Sequence, residues 1–242
     1  MIGSLADAPA EDILGWTFET YGARAVIVTA FQAEGMVALD MASRLGTPVR
    51  VLTVDTGRLP QETYDLIDQV RGRYGIEVEV LFPEARAVER MVARHGVNLF
   101  HRDPVLRQLC CEVRKSFPLE AALEGLDAWV TGLRRSQSAG RSATPKVHND
   151  PAHPGKVKIN PIADWSRERV WEYISEHKVP THALYDRGYT SIGCAPCTRA
   201  VSPGESERAG RWWWEDDERK ECGIHEKTPS ERLDEEIAWL KT

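Results

Sequence analysis

The sequence predicts an α/β domain built on a mainly parallel sheet. Three observations carry this. Short apolar, β-branched runs recur along the chain, as "ARAVIVTAF", "VRVLTVDTG", "IEVEVLF" and "DAWVTGLR", the pattern of strands buried on both faces. Between them lie segments with helical spacing that close on glycine. The two kinds of segment alternate, which favours parallel strands joined by helical crossovers.

The elements follow in order. Residues 1–24 read as a helical lead-in to the strand that begins near Ala25. "EGMVALDMASRLG" sets apolar side chains at Met36, Val37, Leu39, Met41 and Leu45 and stops at Gly46, an amphipathic helix. After the second strand, Pro60 opens a helix through about Tyr74, proline being favoured at the first helical position. The third strand, "IEVEVLF", precedes the helix "EARAVERMVARHG", and a further helical segment holds a cysteine pair. Beyond the fourth strand, the polar stretch from Ser136 to Gly155 reads as a loop. "KVKINPI" is a short extended piece, and Ser166 caps the helix "RERVWEYISEHK". Residues 202–227 read as irregular. The last helix starts at "TPSE", with Thr228 as N-cap, Pro229 at the first position and Glu231 completing a capping box. The chain divides into an α/β domain, 1–201, and a C-terminal tail, 202–242.

A chain of 242 residues is long enough for one such domain with a real core. Its formal net charge of -6 gives no global attraction for nucleic acid. The longest apolar run, about Ala25 to Phe31, is far short of the roughly 20 residues of a membrane span. The N-terminal stretch lacks a basic region followed by an apolar core and does not read as a secretory signal. These features point to a cytoplasmic protein that binds neither nucleic acid nor membrane. The sequence leaves a homo-oligomer open. The 5 cysteines fall as an adjacent pair, a C-x-x-C and a single, which in a reducing compartment reads as metal plus chemistry.

In open parallel sheets, ligands bind at the carboxyl ends of the strands. "TAFQAEG" after the first strand, Thr29 to Gly35, has the place of an anion-binding turn but not the glycine cluster of a phosphate loop. In "VDTGRLPQETY" after the second strand, Thr56, Gly57 and Arg58 shape a turn near a bound nucleotide. The Asp-Thr-Gly within it also matches aspartic proteases, whose paired carboxylates need an all-β setting that this segment lacks. "TGLRRSQSAGRSATP" after the fourth strand groups Arg134, Arg135 and Arg141 with Gln137 and Ser138, and arginine forks suit phosphate and sulfate oxygens. Cys110 and Cys111 in "CCEVRK" join Cys194 and Cys197 in "GCAPC" as four thiols, a set that suits zinc or an iron–sulfur cluster alike. Lys115, four residues after Cys111, adds positive charge beside them. Cys222 is left over in "KECGIH", where Lys220 and His225 favour its thiolate. The three tryptophans of "GRWWWE" read as a satellite cluster that anchors the tail.

"VDTGRLPQETY", "CCEVRK", "TGLRRSQS", "GCAPCTR", "GRWWWE" and "KECGIH", in this order, resemble the assimilatory adenylyl-sulfate reductases of the APS/PAPS reductase family, from roughly Ala25 to His225. The resemblance implies an adenine-nucleotide alpha-hydrolase-like fold of the ATP pyrophosphatase type. It implies a [4Fe-4S] cluster on Cys110, Cys111, Cys194 and Cys197, with Cys222 as nucleophile and thioredoxin or glutaredoxin as reductant. It also implies that Lys115, Arg208, Arg211 and His225 surround the sulfate of adenosine 5′-phosphosulfate, while the Thr56–Arg58 turn, Gly132 and Arg141 hold the nucleotide. The first loop departs from the glycine-rich pattern of related ATP pyrophosphatases. Other readings stay open at this point: a cluster-bearing reductase of the 3′-phosphorylated substrate, an ATP pyrophosphatase, and a zinc-structured nucleotide-binding redox protein.

Overall fold

The computed structural model describes residues 5–215 and 230–241. Six strands form one sheet: β1 (Ala25–Val28), β2 (Val51–Val54), β3 (Val78–Leu81), β4 (Ala128–Val130), β5 (Val147–Asn149) and β6 (Val157–Ile159). Their order is β3-β2-β1-β4-β6-β5. All neighbours pair in parallel except β5, which runs antiparallel to β6 at one edge.

The helices are α1 (Ala10–Tyr21), α2 (Ala33–Ser43), α3 (Gln61–Tyr74), α4 (Ala85–His95), α5 (Pro104–Cys111), α6 (Phe117–Leu123), α7 (Arg167–His177) and α8 (Glu231–Lys241). They cover both faces. Alternate residues of one strand explain why: Ala25 and Ile27 of β1 point into the core shared with α1, α2, α3 and α7. Val26 points into the opposite core, shared with α4, α5, α6 and α8. A strand buried this way must be apolar at every position, which is the run that marks it in the sequence. Among the described residues no helix is long and apolar enough to cross a membrane.

The structure departs from the sequence reading at four places. The polar stretch read as a loop contains β5, three residues long and too short for its alternation to register. The amphipathic α2 is buried along its length, packed among the sheet, α1 and α7. Its buried Asp40 is satisfied by Arg44, Tyr74 and Tyr173. Pro60 is the N-cap residue of α3, which starts at Gln61. At α8, the helix starts at Glu231, and the Ser230 hydroxyl accepts from the Leu233 amide at 3.4 Å. Ser230 therefore holds the capping place assigned to Thr228, and Glu231 opens the helix instead of completing a capping box. Thr228 and Pro229 lie outside the described residues. α8 docks through Arg232, which pairs with Asp103 at 2.8 Å, and Glu236, which meets His95 at 2.9 Å.

Candidate active site

The strand order reverses between β1 and β4, with β2 and β3 on one side and β6 and β5 on the other. A cleft opens at this switch point, where open α/β sheets place their ligands. With its open mouth included, the space is about 1020 Å³. The segment after β1 forms one wall. There the Thr29 hydroxyl accepts from the Phe31 amide at 2.9 Å, and Phe31 adopts a left-handed φ of 55°. Ala33 at the start of α2 donates to the Tyr185 hydroxyl at 2.9 Å, so the helix N-terminus faces the cleft in a fixed attitude.

Two glycines make this wall. A Cβ on Gly35 would collide with the Thr29 hydroxyl, and one on Gly132 would lie 2.7 Å from the Gly35 nitrogen. The first turn of α2 and the segment after β4 therefore approach through paired glycines set far apart in sequence. This close backbone approach takes the place of a contiguous glycine-rich loop.

The opposite wall is cationic: Lys115, Arg141, Arg208 and Arg211 all line the cleft. Arg141 donates to Gln137 at 2.7 Å. Arg211 donates to the Ile192 carbonyl at 3.1 Å and lies over the Trp212 ring at 4.7 Å. Gly193 is required beneath it, since a Cβ there would strike the guanidinium. Arg134 behaves differently. It is 1% exposed and bonds Glu34 and Glu207, each at 2.9 Å. The expectation that Arg134 offers its fork to an anion ligand is corrected: two carboxylates already occupy it. Arg135 is likewise turned to backbone, donating to the Thr144 carbonyl at 2.9 Å. Burial raises the pKa of Glu207, with Arg134 opposing.

Beside the cleft lies a second, smaller cavity lined by Cys110, Cys111, Cys194 and Cys197, all free thiols. Three segments meet in it. Asp103 caps α5 by accepting from Leu106 at 3.0 Å, and α5 ends on the cysteine pair. A π-helical turn, Glu112–Ser116, follows; its extra residue per turn changes the phase of the helix. Arg114 and Lys115 both line the cysteine cavity. The C-x-x-C forms a tight 3₁₀ turn, with Cys197 donating to the Cys194 carbonyl at 2.9 Å.

The third segment is the turn after β2. Gly57 has φ 69°, and its amide donates to Asp55 at 2.7 Å. Tyr64 also donates to Asp55, so this carboxylate shapes the turn. Thr56 meets Cys194 Sγ at 3.2 Å, and Ala195 donates to the Arg58 carbonyl at 2.8 Å. Thr56 and Arg58, expected near the nucleotide, thus line the cysteine cavity. Arg114 braces the turn by donating to the Thr56 carbonyl at 2.8 Å.

Burial pushes the Cys110 thiol up to about 11, against the opposing charge of Arg114, and Cys197 up to about 12. Each of these shifts includes the charge of neighbouring cysteines, so the thiols sit within electrostatic reach of one another. Among the described residues, no three His, Cys, Asp or Glu side chains converge as a site for a single metal ion. The donor set suits a larger group: four soft sulfur ligands, walled by Arg58, Arg107, Arg114 and Lys115, match a cysteine-ligated iron–sulfur cluster with net negative charge. Lys115 lines both cavities.

Trp212 is buried against Arg107 and Arg211, and Trp214 packs on His101 and Phe100. Trp213 is 41% exposed yet packs edge-on against Trp214, ring centroids 4.7 Å apart. Cys222 and His225 lie outside the described residues. Sequence reasoning missed Arg107, Arg114, Glu34 and Glu207. Arg107 and Arg114 stand three before and four after Cys110, a helical spacing that was there to be used. Glu34 and Glu207 carried no such signal.

A doubly covered α/β sheet with a cleft at its switch point and four thiols beside it defines a nucleotide-binding redox domain. Residues 24–200 match the phosphoadenosine phosphosulfate reductase domain family, and the chain belongs to that family. It is 47% identical over 212 residues to adenosine 5′-phosphosulfate reductase of Agrobacterium fabrum, covering 86% of this chain and 81% of that one. It is 49% identical over 202 residues to the enzyme of the same name from Allochromatium vinosum, covering 84% and 78%. Among solved structures, phosphoadenylyl-sulfate reductase from Candida auris superposes with a TM-score of 0.69 at 30% identity, covering 83% of this chain and 94% of that one. The fold is accordingly of the adenine-nucleotide alpha-hydrolase type. Candida glabrata FMN adenylyltransferase, with a TM-score of 0.55 at 14% identity, covering 99% and 85%, shares the fold alone. The chain is an oxidoreductase acting on sulfur.

Proposed function

We propose that this protein reduces adenosine 5′-phosphosulfate to sulfite and AMP, with Cys222 as nucleophile and a dithiol protein, thioredoxin or glutaredoxin, as electron donor. The observation that carries the reading is the position of Lys115, in the wall of both the cationic cleft and the four-cysteine cavity. Relatives named for this activity at 45–49% identity support the substrate.

The nucleotide occupies the cleft, its phosphate toward the N-terminus of α2 and Arg141. Gly132 keeps that wall open to the ligand. Lys115, Arg208 and Arg211 surround the sulfate, and His225 joins them from the tail. Their positive charge lets a thiolate approach an anionic sulfate and stabilises the transition state. The Cys222 thiolate attacks the sulfate sulfur, the S–O bond to the phosphate breaks, and AMP leaves with the electron pair. An enzyme Cys–S-sulfonate remains. One thiolate of the reductant then attacks Cys222 Sγ. Sulfite leaves with the S–S electron pair, and the reductant's second thiol resolves the mixed disulfide and restores Cys222.

Cys110, Cys111, Cys194 and Cys197 would hold a [4Fe-4S] cluster, with Thr56 and Arg114 beside the ligating sulfurs. When bound it would supply a compact negative charge and tie α5 to the C-x-x-C turn. Thr56, Gly57 and Arg58 act on this reading by shaping the wall between that group and the nucleotide.

The test is a single turnover without reductant. Mixing enzyme and adenosine 5′-phosphosulfate should release AMP and leave one sulfonate on Cys222, located by peptide mass spectrometry. Reduced thioredoxin should discharge it as sulfite. Cys222→Ser should bind substrate and form no adduct, since a serine hydroxyl is far less nucleophilic at neutral pH. Normal turnover by that variant, or a sulfonate on another cysteine, would sink the mechanism. The likeness to the Candida auris enzyme favours the 3′-phosphorylated substrate as second reading; a preference for it in parallel assays would select that reading.

A further inference from the structure

Arg107 and Glu215 form an ion pair buried to an unusual degree. Their side chains are 1% and 2% exposed. The pair is bidentate, Arg107 Nε to Glu215 Oε1 and Nη2 to Oε2, each at 2.9 Å. The same guanidinium lies over the Trp212 ring at 4.5 Å and forms part of the wall of the cysteine cavity. Breaking such a pair is costly, yet forming one contributes little net stability. Its geometry is what it supplies: a two-pronged bond holds position and angle together.

The position it holds matters for the reaction. Glu215 is the last described residue before 216–229, and Cys222 stands seven positions further along the chain, a span of at most about 25 Å. On the other side of that stretch, Arg232 of α8 pairs with Asp103 at 2.8 Å. Asp103 is the N-cap of α5, Arg107 lies one turn inside, and Cys110 and Cys111 end the helix. Both roots of the Cys222 segment are therefore fixed to the helix that carries two of the four cavity cysteines.

We propose that Arg107 and Glu215 are positioning residues that set the root from which Cys222 reaches the substrate and lock that root to the wall of the cysteine cavity. The proposal rests on Cys222 being the nucleophile. It assigns the pair no contact with substrate.

The experiment compares full-length wild type with Glu215→Gln, which keeps the side chain's shape and removes its charge. Three quantities are read: visible absorption with iron content, AMP affinity, and the single-turnover rate of sulfonate formation on Cys222. A fourth, alkylation of Cys222 by iodoacetamide, reports thiol reactivity toward a small reagent that needs no positioning. The expected result is a split. Absorption, AMP affinity and alkylation stay within about twofold of wild type, while adduct formation slows at least tenfold. Should Glu215→Gln fail to fold, Glu215→Asp reads the same split by shortening the bridge. An unchanged adduct rate would overturn the proposal. So would a rate that falls in step with absorption or AMP affinity, which marks a plain stabilising contact. Wild type that forms no sulfonate on Cys222 would instead bring down the nucleophile assignment, and the proposal with it.

Discussion

The cleft and the cysteine cavity share Lys115 but are walled by different arginines. In the cleft, charge is balanced within the protein first: Arg134 is consumed by Glu34 and Glu207, and Arg141, Arg208 and Arg211 are left on the ligand-facing wall. In the cysteine cavity, Arg58, Arg107 and Arg114 wall the thiols, and burial raises the pKa of two of them, Cys110 and Cys197. Each of these cations is held by its own partner: Arg107 by Glu215, Arg114 by the Thr56 carbonyl and Arg58 by Asn98. The lesson is that an arginine's role follows from what neutralises it. Arg134 and Arg135 are adjacent in sequence to the cleft's binding loop, yet neither lines the cleft.

This contrast can be broken most sharply at the cysteines. Cys197→Ser removes a ligand of the proposed cluster, and the purified protein should lose brown colour, iron and sulfide, with activity falling to background. Wild type prepared anaerobically with stoichiometric zinc and no visible absorption would refute the assignment. Substitutions on the cleft wall, such as Arg141→Met, should leave the colour intact and weaken nucleotide binding.

The next largest effect belongs to Arg134. Arg134→Met strands two buried carboxylates and should destabilise the fold by about 3–5 kcal/mol, read by chemical denaturation. If Arg134 instead served substrate, stability would hold and only affinity would fall.

A smaller effect comes from beneath the cleft floor. The indole of Trp129, which lines the cleft, donates to Asp150 at 2.9 Å, and His153 contacts the same carboxylate at 2.7 Å. Burial works against the charge of Asp150, but His153, Lys158 and the Ala152 amide outweigh it and hold the pKa at about 2. A depressed carboxylate stabilises the fold above its unfolded pKa, and that stability is lost as pH falls. On the order of 2 kcal/mol should disappear between roughly pH 4 and 2. An acid titration of stability should show this loss in wild type and not in Asp150→Asn.

The smallest effect sharpens the role of the shared residue. Lys115→Ala should retain visible absorption and slow sulfonate formation about tenfold, on the order of 1.4 kcal/mol. An unchanged single-turnover rate would make Lys115 a bystander between the cavities.

How much of this was legible depended on the range of the interactions. Strands β1, β2 and β4 announce themselves because burial on both faces favours apolar runs, whereas β5, a three-residue edge strand, is hidden in a polar stretch. The cysteines were legible as a set, because C-x-x-C and an adjacent pair are local patterns. The start of α8 was not, because Thr228 and Ser230 both read as capping hydroxyls in the sequence, and the Leu233 amide is seen to donate to Ser230 only in the structure.

Read alone, the chain specifies its alternation of strand and helix, its set of four thiols, the lone Cys222 and the cations around them, all of which are composition and short-range spacing. Tertiary structure decided which of these meet. It brought Gly132 against Gly35, turned Thr56 and Arg58 toward the cysteines and not the cleft, spent Arg134 on Glu34 and Glu207, and set Lys115 in both walls. Such contacts join residues tens of positions apart. A side chain's partner across that distance is fixed by how the sheet is ordered and how its helices pack, and no local pattern records it.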